Sequence, residues 1–201
     1  MIRTIIFDIG NVLADFNWRA YLDSYQLSEK EDKIVEASLF LSPLWAEIDR
    51  GRLSDEELLE EICKEVPEYK ELICRIYAGA ALAVNQNSYA PGLLKSLREQ
   101  GYRIYILSNY GKTFYEQRLS HFEFLQYSDG QVVSYQEKYI KPEPEIYEIL
   151  LSRYQIKPEE AVFLDDLPRN LETARKFGLN TVRVTGYESI IEGLRSFGIE
   201  V

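Results

Sequence analysis

The sequence is poor in the residue types that bind soft metals or carry thiol chemistry. Cys63 and Cys74 are its two cysteines and His121 its single histidine. The cysteines fall in a stretch of helical pattern and match no C-x-x-C spacing, so they are expected as reduced, half-buried thiols. His121 stands beside Phe122 and matches no motif, which points to a structural role. Long apolar runs are also missing. No segment approaches the ~18 uninterrupted apolar residues of a membrane span. The apolar run in M-I-R-T-I-I-F is too short for a signal h-region and lacks a small-residue cleavage site, so the chain reads as cytoplasmic. Positive charge is scarce as well: the net charge is −10 at pH 7, and no Lys/Arg cluster with interleaved aromatics relieves it. A nucleic-acid backbone would be repelled. If such a protein handles an anion, a metal, a lysine or a helix N-terminus must supply local positive charge.

What is present describes a globular α/β protein, with 46% hydrophobic and 28% charged residues. Five segments read as strands: Arg3 to Asp8, Tyr102 to Leu107, Gln131 to Ser134, Ala161 to Asp165 and Thr181 to Val184. The first, second and fourth are apolar without alternation, as in parallel strands covered on both faces. Helical patterns separate the later strands, among them Pro91 to Gln100 and the stripe Ile146, Tyr147, Leu150, Leu151 and Tyr154. The fold class is therefore α/β, a doubly wound, Rossmann-like parallel sheet. After the first strand comes a long helical stretch with no convincing strand, far beyond a usual connection. It is expected as an all-α cap subdomain over 15–88, inserted into a core of 1–14 plus 89–201. Within it, S-D-E-E from Ser54 forms a capping box whose helix runs through Val66, and Gly51 ends the segment before. Trp45 and the tyrosines of the insertion are expected in its own core.

Ligands of open α/β sheets bind outside the carboxyl ends of the strands. Those ends carry Asp8 in F-D-I-G-N-V, Ser108 and Asn109 in I-L-S-N, and Asp165 and Asp166 in V-F-L-D-D. Lys141, in Y-I-K-P-E-P, reaches the same crevice from a loop held by Pro142 and Pro144. Converging carboxylates repel one another unless a cation sits among them, and hard oxygen ligands suit Mg²⁺. A metal and Lys141 would neutralise a phosphoryl group, and the Ser108 hydroxyl would bind its oxygens. A carboxylate in line with phosphorus would then form an aspartyl-phosphate that water hydrolyses. Taken singly, Ser108 or Asn109 could instead cap the helix through Phe114, and one of Asp165 and Asp166 could cap the helix after it.

In their order and context, F-D-x-G-N-V, I-L-S-N, K-P-E-P-x-I-Y and F-L-D-D-x-x-x-N resemble the motifs of the haloacid dehalogenase superfamily, in particular its phosphatases with a helical cap after the first strand. The resemblance covers essentially the whole chain. It implies that Asp8 is nucleophile and metal ligand, that Ser108, Asn109 and Lys141 bind phosphate, and that Asp166 is a metal ligand with Asp165 and Asn170 behind it. It also implies Mg²⁺ as cofactor and a small phosphorylated metabolite, such as a sugar phosphate, as substrate.

One position departs from the pattern. The family's usual first motif has a second aspartate, the general acid and base, where this chain has Gly10. The Gly10 backbone carbonyl can still serve as metal ligand, because family members use that carbonyl. Losing a positioned acid/base costs roughly 10² to 10⁴ in rate. A branch resembling glucose-1-phosphate phosphatase carries the same F-D-x-G-N-V string, and Asp15 is the provisional substitute. Two other readings stand beside a phosphatase: a metal-free 2-haloacid dehalogenase, which also lacks that aspartate, and a binding or regulatory module of weak activity.

Overall fold

The computed structural model describes residues 1–201. From its amino end the chain forms β1 (Thr4–Phe7) and β2 (Ala14–Phe16). Five helices follow, α1 (Trp18–Asp23), α2 (Glu29–Val35), α3 (Trp45–Arg50), α4 (Asp55–Cys63) and α5 (Lys70–Gly79), and then β3 (Val84–Gln86). The remainder alternates: α6 (Ala90–Glu99), β4 (Arg103–Ser108), α7 (Lys112–Gln117), β5 (Gly130–Val133), α8 (Ser134–Glu137) and α9 (Pro144–Arg153). It ends with β6 (Ala161–Asp165), α10 (Pro168–Lys176), β7 (Asn180–Arg183) and α11 (Tyr187–Ser196). No helix is long and apolar enough to cross a membrane.

Five strands make one parallel sheet in the order β5-β4-β1-β6-β7, so the expected α/β fold is observed. All four residues of β1 are buried because it lies at the centre, covered on both faces. The pleat sends alternate residues to opposite sides. Ile5, Phe7, Ile104, Ile106, Val162 and Leu164 join one apolar cluster, with Leu94 and Leu97 of α6 and Ile190 and Leu194 of α11. Ile6, Tyr105, Leu107 and Phe163 join the other, against Ile146 and Tyr147 of α9 and Leu171 of α10. Helices α6, α9 and α10 each carry a proline in the first turn, where its missing N–H costs nothing.

The segment between the first and second core strands holds the main departure from expectation. It is helical, but β2 and β3 pair antiparallel at its two ends, Phe16 opposite Val84. Three-residue strands are too short to leave a period in the sequence, which is why none was expected. The Ser54–Glu57 capping box is present, the Ser54 amide donating to Glu57 Oε2 at 2.8 Å and the Glu57 amide to Ser54 Oγ at 3.2 Å. Its helix stops at Cys63, short of Val66. Cys63 is buried and Cys74 half-buried, both free thiols. Gly111, rather than Ser108 or Asn109, occupies the N-cap position of α7.

Helix α3 is tied to the core at its C-terminus. Arg50, 9% exposed, donates from Nη1 to Glu143 Oε2 at 2.6 Å, and Glu143 stands two residues after Lys141. Gly51 closes the helix at φ 62°, and a Cβ there would lie 2.9 Å from Tyr135 Cβ and 3.1 Å from Tyr135 Cα. Gly51→Ala therefore meets both a left-handed backbone and a wall. It is expected to destabilise the protein by at least about 1–2 kcal/mol, read as a lower denaturant midpoint at unchanged slope.

Candidate active site

Strand register sets the site. The Asp8 amide donates to the Leu164 carbonyl at 2.9 Å, which puts Asp8 and Asp165 level at the ends of adjacent strands. Ser108 ends β4 on the other side of β1. Here the chain reverses direction across the sheet, since β4 leads outward to β5 and β6 to β7. A cavity of about 270 Å³ opens at these strand ends.

Three donors converge on one oxygen of Asp8. The Ile9 amide and Ser108 Oγ each reach Oδ1 at 2.6 Å, and Lys141 Nζ stands 2.9 Å from it. That leaves Oδ2 unengaged. Lys141, 2% exposed, also donates to Asp165 Oδ2 at 2.6 Å. Asp165 is fully buried and saturated: its Oδ1 accepts from the Leu167 amide at 2.8 Å, and Asn170 Nδ2 lies 3.0 Å from both carboxylate oxygens. It therefore holds the turn into α10 and aims Lys141. The expected helix cap at this pair is a turn instead, with Leu167 at the N-cap position.

Asp166 is half-buried, and its Oδ2 accepts from Asn11 Nδ2 at 3.0 Å. Asn11 has φ 55°, in the left-handed region that asparagine tolerates. Asn109 clamps the Lys141 loop from both sides, donating to the Lys141 carbonyl at 3.0 Å and accepting from its amide at 2.8 Å.

Electrostatics follow from this crowding. Burial pushes the Asp8 carboxyl up to about 7; Lys141 and the Ser108 hydroxyl pull it down, and Asp165 pushes it up. Burial disfavours the Lys141 charge, but Asp165 and Asp8 outweigh it, so the ammonium is held more firmly than an ordinary lysine.

Asp8, Asp165 and Asp166 offer carboxylate oxygens that all lie within 4.8 Å of one another. This hard-oxygen donor set fits Mg²⁺ or a similar cation and suits no soft metal. Asn170 Oδ1, buried without a protein partner, adds an acceptor next to the set.

Asp8, Gly10, Ser108, Asn109, Lys141, Asp166 and Asn170 line this cavity together, with Asp165 directly behind Lys141. Asp15 does not. It lies exposed on β2 outside the cavity, because the residue that β2 turns inward there is Phe16. Ser108 Oγ and the Asn109 amide are already engaged, with Asp8 and the Lys141 loop respectively, so the contacts seen here position other groups.

The sequence reading missed Asn11, Asp49, Arg169 and the aromatic wall. Phe16 and Trp45 stack at 5.7 Å between centroids, and Trp45 meets Phe114 edge-on at 5.5 Å. Trp45, expected in the core of the insertion, packs against the buried core and also lines the cavity. Asn11 was legible within F-D-I-G-N-V. Asp49 and Phe16 carried no spacing signal.

Residues 2–178 match the haloacid dehalogenase-like hydrolases. The chain belongs to that family. Among curated relatives, a sesquiterpene phosphatase of Aspergillus oryzae is 25% identical over 91% of this chain and 90% of its own. The D-ribitol-5-phosphate phosphatase of Bacteroides thetaiotaomicron is 26% identical, over 90% of this chain and 91% of its own. In several other relatives the matched region is a minor part of a longer protein. A predicted HAD-like family hydrolase from Porphyromonas gingivalis superposes with TM-score 0.79 at 27% identity, covering 98% of both chains.

Two more distant structures share the fold. One is an enzyme of B. thetaiotaomicron in complex with magnesium and inorganic phosphate, with TM-score 0.72 and 22% identity, covering 91% of this chain and 94% of its own. The other is the L-2-haloacid dehalogenase of Xanthobacter autotrophicus, with TM-score 0.66 and 19% identity, covering 100% and 85%. Fold alone therefore does not choose between phosphorus and carbon chemistry.

Proposed function

We propose that this hydrolase is a Mg²⁺-dependent phosphatase of small phosphomonoesters, acting through an aspartyl-phosphate on Asp8. One observation carries the reading: three carboxylates whose oxygens fall within 4.8 Å of one another, beside a buried lysine. A carbon-attacking nucleophile gains nothing from extra acids, which raise its pKa. A phosphoryl acceptor gains a metal site. The two phosphatases among the relatives support the same choice.

Asp8, Asp166 and the Gly10 carbonyl would hold Mg²⁺, which when bound neutralises phosphoryl charge. The chain's own groups do the rest. Lys141 meets the phosphoryl oxygens, Ser108 and the Ile9 amide fix Asp8 by Oδ1, and Oδ2 is free to attack phosphorus. Residues 15–88 act as a helical cap over the core of 1–14 plus 89–201, excluding water and bringing the aromatic wall over a sugar phosphate or similar metabolite.

The test is phosphate release from a panel of metabolite phosphomonoesters with and without Mg²⁺, run beside chloride release from a 2-haloacid. Metal-dependent phosphate release is expected. Chloride release without metal would replace the phosphatase by a dehalogenase. Binding of Mg²⁺ and phosphate with no turnover would leave a binding module.

Proton linkage gives a second check. Asp8 and Asp49 rise from 3.8 to about 7 in the fold, so between these values the folded chain holds protons that the unfolded chain has released. Their stabilising effect is complete below 3.8 and is lost as pH climbs through about 7. Metal-free protein should melt higher at about pH 5.5 than at about pH 8, and Mg²⁺ should raise the melting temperature more at the higher pH, where Asp8 is ionised. A Mg²⁺ shift of equal size at both would remove Asp8 from the ligand set.

A further inference from the structure

Three consecutive residues at the end of α3 are anchored to the core. The Asp49 carbonyl accepts from Ser134 Oγ at 2.6 Å, and Ser134 Oγ also accepts from the Tyr110 amide at 2.9 Å. Arg50 is bound to Glu143, and Gly51 lies against the Tyr135 backbone. Together they fix Asp49 at the cavity wall.

Three carboxylates line that cavity. Asp8 is the nucleophile of the proposed reaction, and Asp166 belongs to the acid cluster and is held by Asn11. Asp49 lies outside the cluster, and no side chain hydrogen-bonds its carboxyl group.

Resting on the phosphatase reading, we propose that Asp49 is the proton donor and acceptor of the reaction, supplied by the helical insertion in place of the acid that Gly10 cannot provide. In the first step an Asp8 oxygen bonds to phosphorus and the ester P–O bond breaks. The departing oxygen keeps that electron pair and takes the proton of the Asp49 carboxyl. In the second step water attacks phosphorus and gives its proton to the Asp49 carboxylate. The P–O bond to Asp8 then breaks, its electrons returning to the Asp8 carboxylate, and inorganic phosphate leaves.

The environment suits both roles. Burial pushes the Asp49 carboxyl up to about 7, Asp8 pushes it further, and the Gly111 amide and Lys141 pull it back. Both protonation states are then populated near neutral pH. The other ionisable groups around it are the phenols of Tyr77 and Tyr110, with Arg169 on the same cavity. The position of the missing acid is also open: beyond its two chain neighbours, no residue lies within 4 Å of where a Cβ on Gly10 would stand.

Leaving-group dependence tests the assignment. p-Nitrophenyl phosphate departs as a stable phenolate that needs no proton, whereas glycerol 2-phosphate leaves as an alkoxide that does. Asp49→Asn is expected to release a rapid burst of about one p-nitrophenol per protein and then stall, because water attack lacks its base. Turnover of glycerol 2-phosphate should fall by roughly 10² to 10⁴, without a burst. Adding Gly10→Asp to the variant should recover at least tenfold of that loss. Asp49→Ser, read the same way, covers a failure of the asparagine variant to fold. Wild-type-like turnover of glycerol 2-phosphate by either variant, or equal slowing of the first step for both esters, overturns the role of Asp49 and leaves the phosphatase reading intact. A wild-type protein that, with Mg²⁺, hydrolyses neither these esters nor any phosphomonoester of the metabolite panel overturns both.

Discussion

Replacing Asp8 by asparagine is expected to abolish turnover while the protein stays folded. The amide oxygen can keep the three contacts now made to Oδ1 from the Ile9 amide, Ser108 and Lys141. Nothing in the packing has to move. Burial disfavours the Asp8 charge, so losing it removes a cost, although Lys141 gives up one partner and keeps Asp165. On the proposed mechanism the nucleophile is lost outright, and a fall of at least ~10⁴ in phosphate release is expected, in line with the removal of nucleophiles elsewhere. Phosphate release and thermal unfolding on the same preparation check both halves. Activity surviving in a folded Asp8→Asn protein would mean that phosphorus is attacked by something else.

The second large effect is on stability. Lys141 is 2% exposed and binds Asp8 and Asp165 at 2.9 and 2.6 Å. Lys141→Met fills the space but leaves two buried acids without their cation. Breaking such a pair from one side costs about 3–5 kcal/mol. With the cation gone, the Asp8 carboxyl, which Lys141 pulls down, rises further above its unfolded value. The loss should therefore be largest near neutral pH and shrink as acid returns a proton to Asp8. Denaturant unfolding at about pH 8 and about pH 5 reads this directly, and a deficit independent of pH would show that the ion pairs do not govern the site. On the phosphatase reading, activity should vanish as well.

Much of this site could be read from the chain because strand ends are local features. A run such as A-V-F-L-D-D announces a buried strand and its polar end together, and a parallel sheet then aligns every such end along one edge. Asp8, Ser108, Asp165 and Asp166 were read this way, whereas Lys141 came from the loop after the third strand and Asn170 from the family resemblance. The contribution of the insertion could not be read so. Asp49 and Phe16 reach the cavity through the packing of α3 and the pairing of β2 with β3, contacts between residues distant in sequence that leave no period. Asp15 lies outside the cavity for the same reason: proximity to Asp8 along the chain says nothing about which face of a three-residue strand it occupies. Ser108 and Asn109 line the cavity, but what Asn109 touches depends on the Lys141 loop, which only the folded chain brings across.

The pairing of Phe16 with Val84 makes the two ends of the insertion immediate neighbours, whatever is strung between them. To the sheet, Asn17 to Ala83 is a loop whose mouth is already closed. Doubling the length of such a loop costs only about 0.6 kcal/mol in closure entropy. The insertion can therefore lengthen, shorten or change the side chains it presents to the cavity, while the strands that carry the acids keep their register.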